Sequence, residues 1–506
     1  MEHKKGLIIV TLLVCISAFP LFAAGRQEAE NIPPESLSGE ELSVVTELMK
    51  GNESAAEADQ ASPMRLTEEA AVAYALDNNL QVKSSVVEMG IKKRAEDYAW
   101  NRFVPTVQAS GTLGRMNEEQ SISGLSVDPT SELSIPGVGT VYDRVLAFSE
   151  DLPRWSVSAG LDFSLALNIA LYNGVRATQI DYRAGRISYE QARKQVVRDV
   201  RKGFYNLLLL QENRALMVEN IDAAERRYEQ ALINYENGMV PELTVLSSQV
   251  AWENLKPQLK AMDLGYRQAL QGFKLTLGMD LDRQVELEGS IDAEAVDVDS
   301  DELIDRFLTD RLDVQSLLVT ITSLENQLTA SKLQVYTPQL ILGYNLDPTF
   351  SGDPLEDPWF GGDYDWEQRS GMFRATIAFS LDGWLPFSTT QIGIRDLQDN
   401  IELTRLGLMQ TLQAAEMEVD ATVEQLKKSR DTIETLQLNV ELARRAYEMA
   451  EEAYKAGSRE LLEVENAELE LKTAQIEVLK EKYNYLSALI DLEYQLNNNM
   501  ETMVSE

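Results

Sequence analysis

"AYEMAEEAYKAGSRELLEVENAELELK" (Ala446–Lys472) reads as helix, a break at Gly457-Ser458, and helix again. On both sides the apolar positions recur at alternating three- and four-residue steps, the spacing of helices packed side by side in a coiled coil. Gly457 is the residue type that ends a helix in the left-handed conformation, and Ser458 is suited to cap the helix that follows. The stretch is therefore expected to be the tip of an antiparallel helical hairpin.

The pattern occurs once before. Displaced by 219 residues, Met217, Ile221, Ala224, Tyr228, Ala231, Tyr235 and Gly238 fall on Leu436, Val440, Ala443, Tyr447, Ala450, Tyr454 and Gly457, and Tyr266 falls on Tyr485. This is a duplication. Gly238 marks the first tip, with Pro241 suited to the first turn of the returning helix. From about Leu171 to Asn237, and again from about Thr389 to Ala456, the chain reads as nearly unbroken helix. At a rise of about 1.5 Å per residue each arm is on the order of 100 Å long. The returning arms, Glu242 to Gly278 and Glu460 to Asn497, are shorter. Such reach is foreign to a compact enzyme.

Upstream the period changes to two. Val107, Ala109, Gly111 and Leu113 alternate with Gln108, Ser110 and Thr112, and Trp155 to Leu165 alternates in the same way. The second copy repeats this at Gln339 to Leu346, with Ile341 on the polar side, and at Phe373 to Asp382. Strands are expected at about 105–115, 155–165, 338–347 and 372–382. Segments of about 10 residues with this dyad pattern are those of a transmembrane β-barrel. A half-buried soluble sheet explains one such strand, but four with polar inner faces favour the barrel. Met116 to Arg154 and Pro348 to Ser370, rich in Gly, Pro, Ser and Asp, are then expected as external loops. Four strands do not close a barrel, since the smallest have about 8, and open edges in lipid leave backbone groups unpaired. Closure is expected from other protomers, whose number the strand count does not fix.

Lys4 and Lys5 precede the apolar run Leu7 to Val14 and the small residues Ala23-Ala24-Gly25, so residues 1–24 are expected to be a secretory signal peptide. Val14, where a small residue is required, argues against lipidation of Cys15. His3 and Cys15, the single histidine and single cysteine, both fall in this leader. The mature chain is thus expected to have no Cys-His or Ser-His nucleophile, no zinc site of thiolates or imidazoles, and no disulfide. A net charge of −36 argues against nucleic acid as a partner and fits a solvated helical surface. Residues 25–63 read as a flexible acidic lead-in with a short helix at Glu40 to Met49, and 499–506 as a tail. "DPLEDPWFGGDYDWE" (353–367) is acidic but lacks the residue order of a calcium loop. No cofactor, metal site or enzymatic activity is expected.

Taken in order, "LTEEAAVAYALDNNLQVKSS", "FVPTVQASGTL", the paired tips "YENG" and "YKAGSR", and "LTLGMD" resemble the TolC-like outer-membrane efflux channels, across about Met64 to Asn498. The resemblance implies a mainly α fold with some β, in two structural repeats (64–285 and 286–498). Long coiled-coil hairpins form an α-barrel, and four strands contribute to a shared trimeric transmembrane β-barrel. It implies a homotrimer in outer-membrane lipid, a tunnel crossing the periplasm, and an exit duct for tripartite efflux or type I secretion that is gated at the tips. A periplasmic adaptor (membrane fusion protein) and an inner-membrane pump are the implied partners. By the same resemblance Tyr454 and Arg459 hold a closed state against the first hairpin. The family's acceptor aspartate is Thr244 here, with Glu242 close by as a replacement, and its constriction acids align with Glu463 and Asn466. The adaptor contacts map to Gly238, Met239, Val240, Gly457 and Ser458. The rival reading is a non-channel coiled-coil structural or adhesive surface protein, which predicts a product soluble without detergent.

Overall fold

A computed structural model describes residues 63–498, apart from 119–120, 128–131, 137–138, 143–144, 152–153, 293–295, 297, 361–365, 368–370 and 457. The expected signal peptide, Cys15, the acidic lead-in with its helix, Gly457 and the tail 499–506 therefore lie outside the described residues.

In chain order, β1 (Met64–Leu66), α1 (Glu68–Asn78) and α2 (Leu80–Asp97) lead to β2 (Thr106–Arg115), β3 (Ser121–Val127), β4 (Glu132–Ile135), β5 (Gly139–Tyr142), β6 (Val145–Asp151) and β7 (Trp155–Leu167). The first hairpin follows as α3 (Ala170–Glu236) and α4 (Glu242–Leu277). The second half runs β8 (Val285–Leu287), α5 (Ser300–Phe307), α6 (Leu312–Tyr336), β9 (Gln339–Leu346), β10 (Thr349–Phe350), β11 (Trp366–Glu367) and β12 (Met372–Ala378). It ends in the second hairpin, α7 (Thr389–Lys455) and α8 (Leu461–Gln495). The long arms α3 and α7 are each 67 residues. Among the described residues no helix is long and apolar enough to cross a membrane.

The four long strands form an antiparallel sheet in the order β2–β7–β9–β12. Its register sorts the side chains. Val107, Phe163, Tyr344 and Phe373 stand abreast, and Leu113 faces Val157 on the same side. The opposite side carries Gln108, Asp162 and Asn345 in one row, and Thr106, Ser164, Gly343 and Arg374 in another. One face is thus greasy and the other mostly wettable, with Met372 opposite Asn345 and Ile341 between Ala166 and Thr376 the large apolar residues on the polar side. Val107, Leu113, Phe373 and Ile377 are exposed, so the apolar face of the sheet has no covering layer among the described residues.

Two sequence expectations are corrected. The fourth strand was expected to 382, but β12 stops at Ala378 and a 3-10 turn takes over at Asp382–Trp384. Gly383 packs there against Val335 of α6 with no room for a Cβ, so the alternation of Phe379 and Leu381 continues past the ladder. Within the expected loop 116–154, β3 pairs with β6 and β4 with β5. Met116 N–H donates to the Arg154 carbonyl at 2.8 Å, which carries the β2/β7 ladder onward.

The helices pack side by side. In the half nearer the strands α2, α3, α6 and α7 adjoin in that order; towards the tips the order is α4, α3, α8, α7. Where the halves meet, a core of Leu303, Val419, Val423, Leu426, Tyr485, Leu492 and Leu496 closes α5 onto α7 and α8, each large side chain contributing about 1.5–3 kcal/mol by burial. Here Arg201 of α3 pairs with Glu68 of α1 and Glu493 of α8, and Tyr205 donates to Glu68 at 2.6 Å.

Candidate functional site at the hairpin tips

Both tips are closed by their backbones. Gly238 has φ +71°, and Met239 N–H reaches back to the Asn234 carbonyl at 2.8 Å while Gly238 N–H donates to the Tyr235 carbonyl at 2.8 Å. This is the paired bonding that a left-handed glycine permits at a helix end. At the second tip Ser458 N–H donates to the Ala453 carbonyl at 3.0 Å, the matching contact. Ser458 does not cap α8, as its sequence position suggested: its Oγ donates to the same Ala453 carbonyl at 3.0 Å. Glu460 occupies the cap position of α8 and makes no side-chain capping bond. Pro241 likewise stands at the cap, one residue before the first turn of α4.

Met239 is 69% exposed, and Gly238 and Ser458 are exposed with it, whereas Val240 is half-buried. Glu242 is exposed in the first turn of α4, and Thr244 N–H donates to the Pro241 carbonyl at 3.0 Å. Arg459 is engaged within its own helix end: its Nη1 donates to both carboxylate oxygens of Glu463. Asn466 is exposed one turn beyond. Among the described residues no hydrogen bond or ion pair joins Tyr454 or Arg459 to Glu242 or Thr244, so the structure gathers the second-hairpin candidates but not the two halves of the expected lock.

Tyr454 sits in the helical seam. Its hydroxyl is buried without a hydrogen-bond partner, and burial first, then the charge of Glu465, pushes its pKa up. Next to it lies a cluster that the sequence reading passed over. Arg227 of α3 pairs with Glu468 of α8, Asn220 and Lys472 extend the contact, and Arg227, Glu468, Asn220 and Lys472 line one cavity together with Ser248 of α4. Burial raises the Glu468 carboxyl despite the opposing Arg227, and burial lowers Lys472 despite Glu468. These residues read as solvated heptad flanks in a chain with 82 acidic side chains. The one signal for them was the repeat itself, because Arg227 falls on Ala446 where the surrounding positions match. Among the described residues no group of three or more His, Cys, Asp or Glu side chains is placed to hold a metal ion.

The chain matches the family model described as "Outer membrane efflux protein" over residues 72–279 and 367–498. Its fold is similar to the Campylobacter jejuni CmeC outer membrane channel, with a TM-score of 0.64 and 17% identity over 93% of this chain and 94% of that one. It is similar also to the outer membrane protein VceC from Vibrio cholerae, with a TM-score of 0.62 and 14% identity over 85% of this chain and 96% of that one. For the open state of the Neisseria gonorrhoeae MtrE outer membrane channel the TM-score is 0.58 and the identity 15%, over 86% and 89% of the two chains. No curated protein matches the sequence.

Proposed function

As the chain belongs to the outer membrane efflux protein family and is an outer-membrane efflux channel with a large periplasmic part, we propose that three copies close one pore and one tunnel, gated at the hairpin tips. The observation that carries the reading is a pair of unfinished edges running the length of the molecule. Among the described residues β2 and β12 each have one unpaired side. Towards the tips the outer helices α4 and α7 carry exposed apolar stripes: Leu243, Leu246, Val250 and Leu264 on α4, and Leu438, Leu442 and Met449 on α7. Heptad-spaced apolar side chains seek a partner helix. A left edge and a right edge on one chain make a head-to-tail contact, which closes into a ring when the rotation allows. With four strands per copy, three copies exceed the barrel minimum of about 8 strands. The family assignment leaves the soluble adhesive rod without support.

In this reading the greasy sheet face meets outer-membrane lipid and the polar face lines the pore. Exposed Met239, with Gly238, Val240, Gly457 and Ser458, offers the surface for a periplasmic adaptor, through which an inner-membrane pump delivers cargo. Tyr454, Arg459, Glu463, Asn466, Glu242 and Thr244 set the constriction. Arg459 neutralises Glu463 in each copy, so the constriction presents ion pairs in place of bare carboxylates. The assembly is tested by cysteines at Val250 and Leu442, on the two edges: oxidation is expected to give covalent ladders ending at three copies. Monomers alone, in membranes where the chain is correctly inserted, would overturn the ring.

A further inference from the structure

We infer that the outer wall of the helical barrel, just below the strands, binds anionic phospholipid headgroups of the membrane leaflet that faces the periplasm, through Arg176, Arg183 and Arg186 of α3. The inference rests on the channel reading above.

The membrane edge is marked on the chain. Each of the four joints between a long strand and a helix carries an exposed aromatic residue: Trp100 before β2, Tyr172 after β7, Tyr336 before β9 and Trp384 after β12. Trp and Tyr collect where hydrocarbon gives way to headgroups. From Tyr172 the row Arg176, Gln179, Arg183, Arg186, Glu190 and Arg193 recurs at alternating four- and three-residue steps. One stripe of α3 therefore runs from the aromatic joint down the wall. Its four arginines are exposed.

The stripe faces outwards. α3 is flanked by α2 and α6 of its own chain, so neither of its sides is a free edge. Towards α2, Lys92 lies against Gly185 and Arg102 against Gly174, each too close for a Cβ. Towards α6, Ile180 and Ile187 pack with Val319. At about 100° per residue these two contact lines stand roughly 130° apart by way of Asp181 and about 230° apart by way of the arginines. Neighbouring helices of a barrel bend towards its lumen, so the narrower side is the inner one. Asp181 and Ser188, exposed on that side, line the tunnel, and the arginines stand on the outer wall.

The charges are also unpaired. In a chain with 82 acidic and 46 basic side chains most cations can find an acid of their own. Lys93 holds both Glu96 and Asp97, at 3.1 and 3.0 Å, and Glu190 leans to Arg193 at 3.8 Å. Among the described residues Arg176, Arg183 and Arg186 make no side-chain ion pair or hydrogen bond. The unpaired charge thus sits at the membrane end of the row, which favours a lipid surface over a polyanion lying free in the periplasm. A guanidinium fork suits phosphate. Arg176 is one turn from Tyr172, at headgroup level. Arg183 and Arg186 stand about 16 and 21 Å below Tyr172 by helix rise. Side chains lean towards the N-terminal end of a helix, here the membrane end, which brings both charges within about one Debye length, ~8 Å, of the headgroups.

The test uses the full chain, as trimers in bilayer discs of equal parts phosphatidylglycerol and phosphatidylcholine, with the lipids retained after mild extraction counted by native mass measurement. Unmodified trimers are expected to retain phosphatidylglycerol over phosphatidylcholine by about fivefold or more at low salt, and less at high salt. Arg176→Gln, Arg183→Gln and Arg186→Gln together are expected to bring the ratio close to one with trimers intact, while Asp181→Asn on the luminal side leaves it unchanged. Equal retention by the unmodified trimer, an unchanged ratio in the triple variant, or the same loss in Asp181→Asn overturns the inference. So does arginine-dependent binding of soluble polyglutamate by a trimer without lipid preference, which gives the row to a periplasmic polyanion. An unmodified chain that forms no trimer in the membrane overturns the channel reading instead, before any lipids are compared.

Discussion

Arg459 Nη1 donates to both carboxylate oxygens of Glu463, at 2.9 and 2.7 Å, one turn along the start of α8. The pair is half exposed, so it contributes only about 0.3–0.5 kcal/mol to the helix. Its consequence is electrostatic. Arg459→Ala leaves the Glu463 carboxylates uncompensated at the proposed constriction, and the expected outcome is a rise in cation over anion selectivity together with tighter block by multivalent cations. Glu463→Gln is expected to shift selectivity towards anions. Reversal potentials in a salt gradient read both, and values unchanged in both variants would remove the gate assignment.

The two returning helices end alike but with different residues. Gly278 has φ +70° and Asn497 φ +55°, at matching places in the repeats. A Cβ on Gly278 runs into the Asn78 backbone, beside the point where the Asn79 amide donates to the Thr276 carbonyl at 2.6 Å. Gly278→Ala is expected to destabilise the fold by about 1–3 kcal/mol, from strain plus contact. Asn497→Gly is expected to change stability by no more than about 0.5 kcal/mol, since glycine is at ease there. Thermal unfolding in detergent distinguishes them.

These ends show what is legible in a sequence. Gly238, Gly278 and Ser388, whose Oγ accepts from Gln391 N–H at 3.1 Å, state local backbone demands, and the helix limits follow from them within a residue or two. The dyad pattern placed the four strands because each face has one solvent. What local pattern does not encode was not legible. The short β3/β6 and β4/β5 ladders sit in Gly- and Ser-rich sequence that spells loop, and β12 ends where Gly383 meets Val335, a contact from another element. Tyr454 and Thr244 were joined by analogy alone, whereas Arg227 and Glu468 meet through a helix pairing that heptads permit but do not specify.

Glu468 carries a pH dependence whose sign follows from its burial. Its pKa is raised above the ordinary 4.5, first by burial and against the pull of Arg227 and Lys472, with Glu465 adding to the rise. Tyr447 of α7 also feels its charge, while Ser248, Ala251 and Leu255 of α4 bring none. The packed seam therefore binds the proton more tightly than separated hairpins do. Its contribution is fully present below about pH 4.5 and is lost as pH rises through the raised value. Hydrogen exchange of the α8 amides around Glu468 is expected to speed up across that window, beyond the intrinsic rate, and Glu468→Gln is expected to abolish the step. A step that survives the glutamine belongs to another group.

Asn173 of α3 and Asn326 of α6 form a buried amide pair near the strands. Asn173 Nδ2 donates to Asn326 Oδ1 at 3.1 Å, and Asn326 Nδ2 donates to the Asn173 carbonyl at 2.9 Å. Asn173→Ala takes the donor from Asn326 Oδ1, while Asn326 Nδ2 keeps the residue-173 backbone carbonyl, and is expected to cost about 1–3 kcal/mol. Replacing both by leucine is expected to recover most of that loss while relaxing the helix register. A double-mutant cycle on unfolding free energy checks it; additive losses would show that the pair does not act as a unit.

Separate copies are proposed to complete each other's edges in the outer membrane. Native mass measurement of detergent-extracted protein, on the same sample that is then fused into planar bilayers, tests it most directly. A mass of three chains and stable ion-conducting steps are expected. A single-chain mass in a sample that dissolves without detergent and carries no current would contradict it.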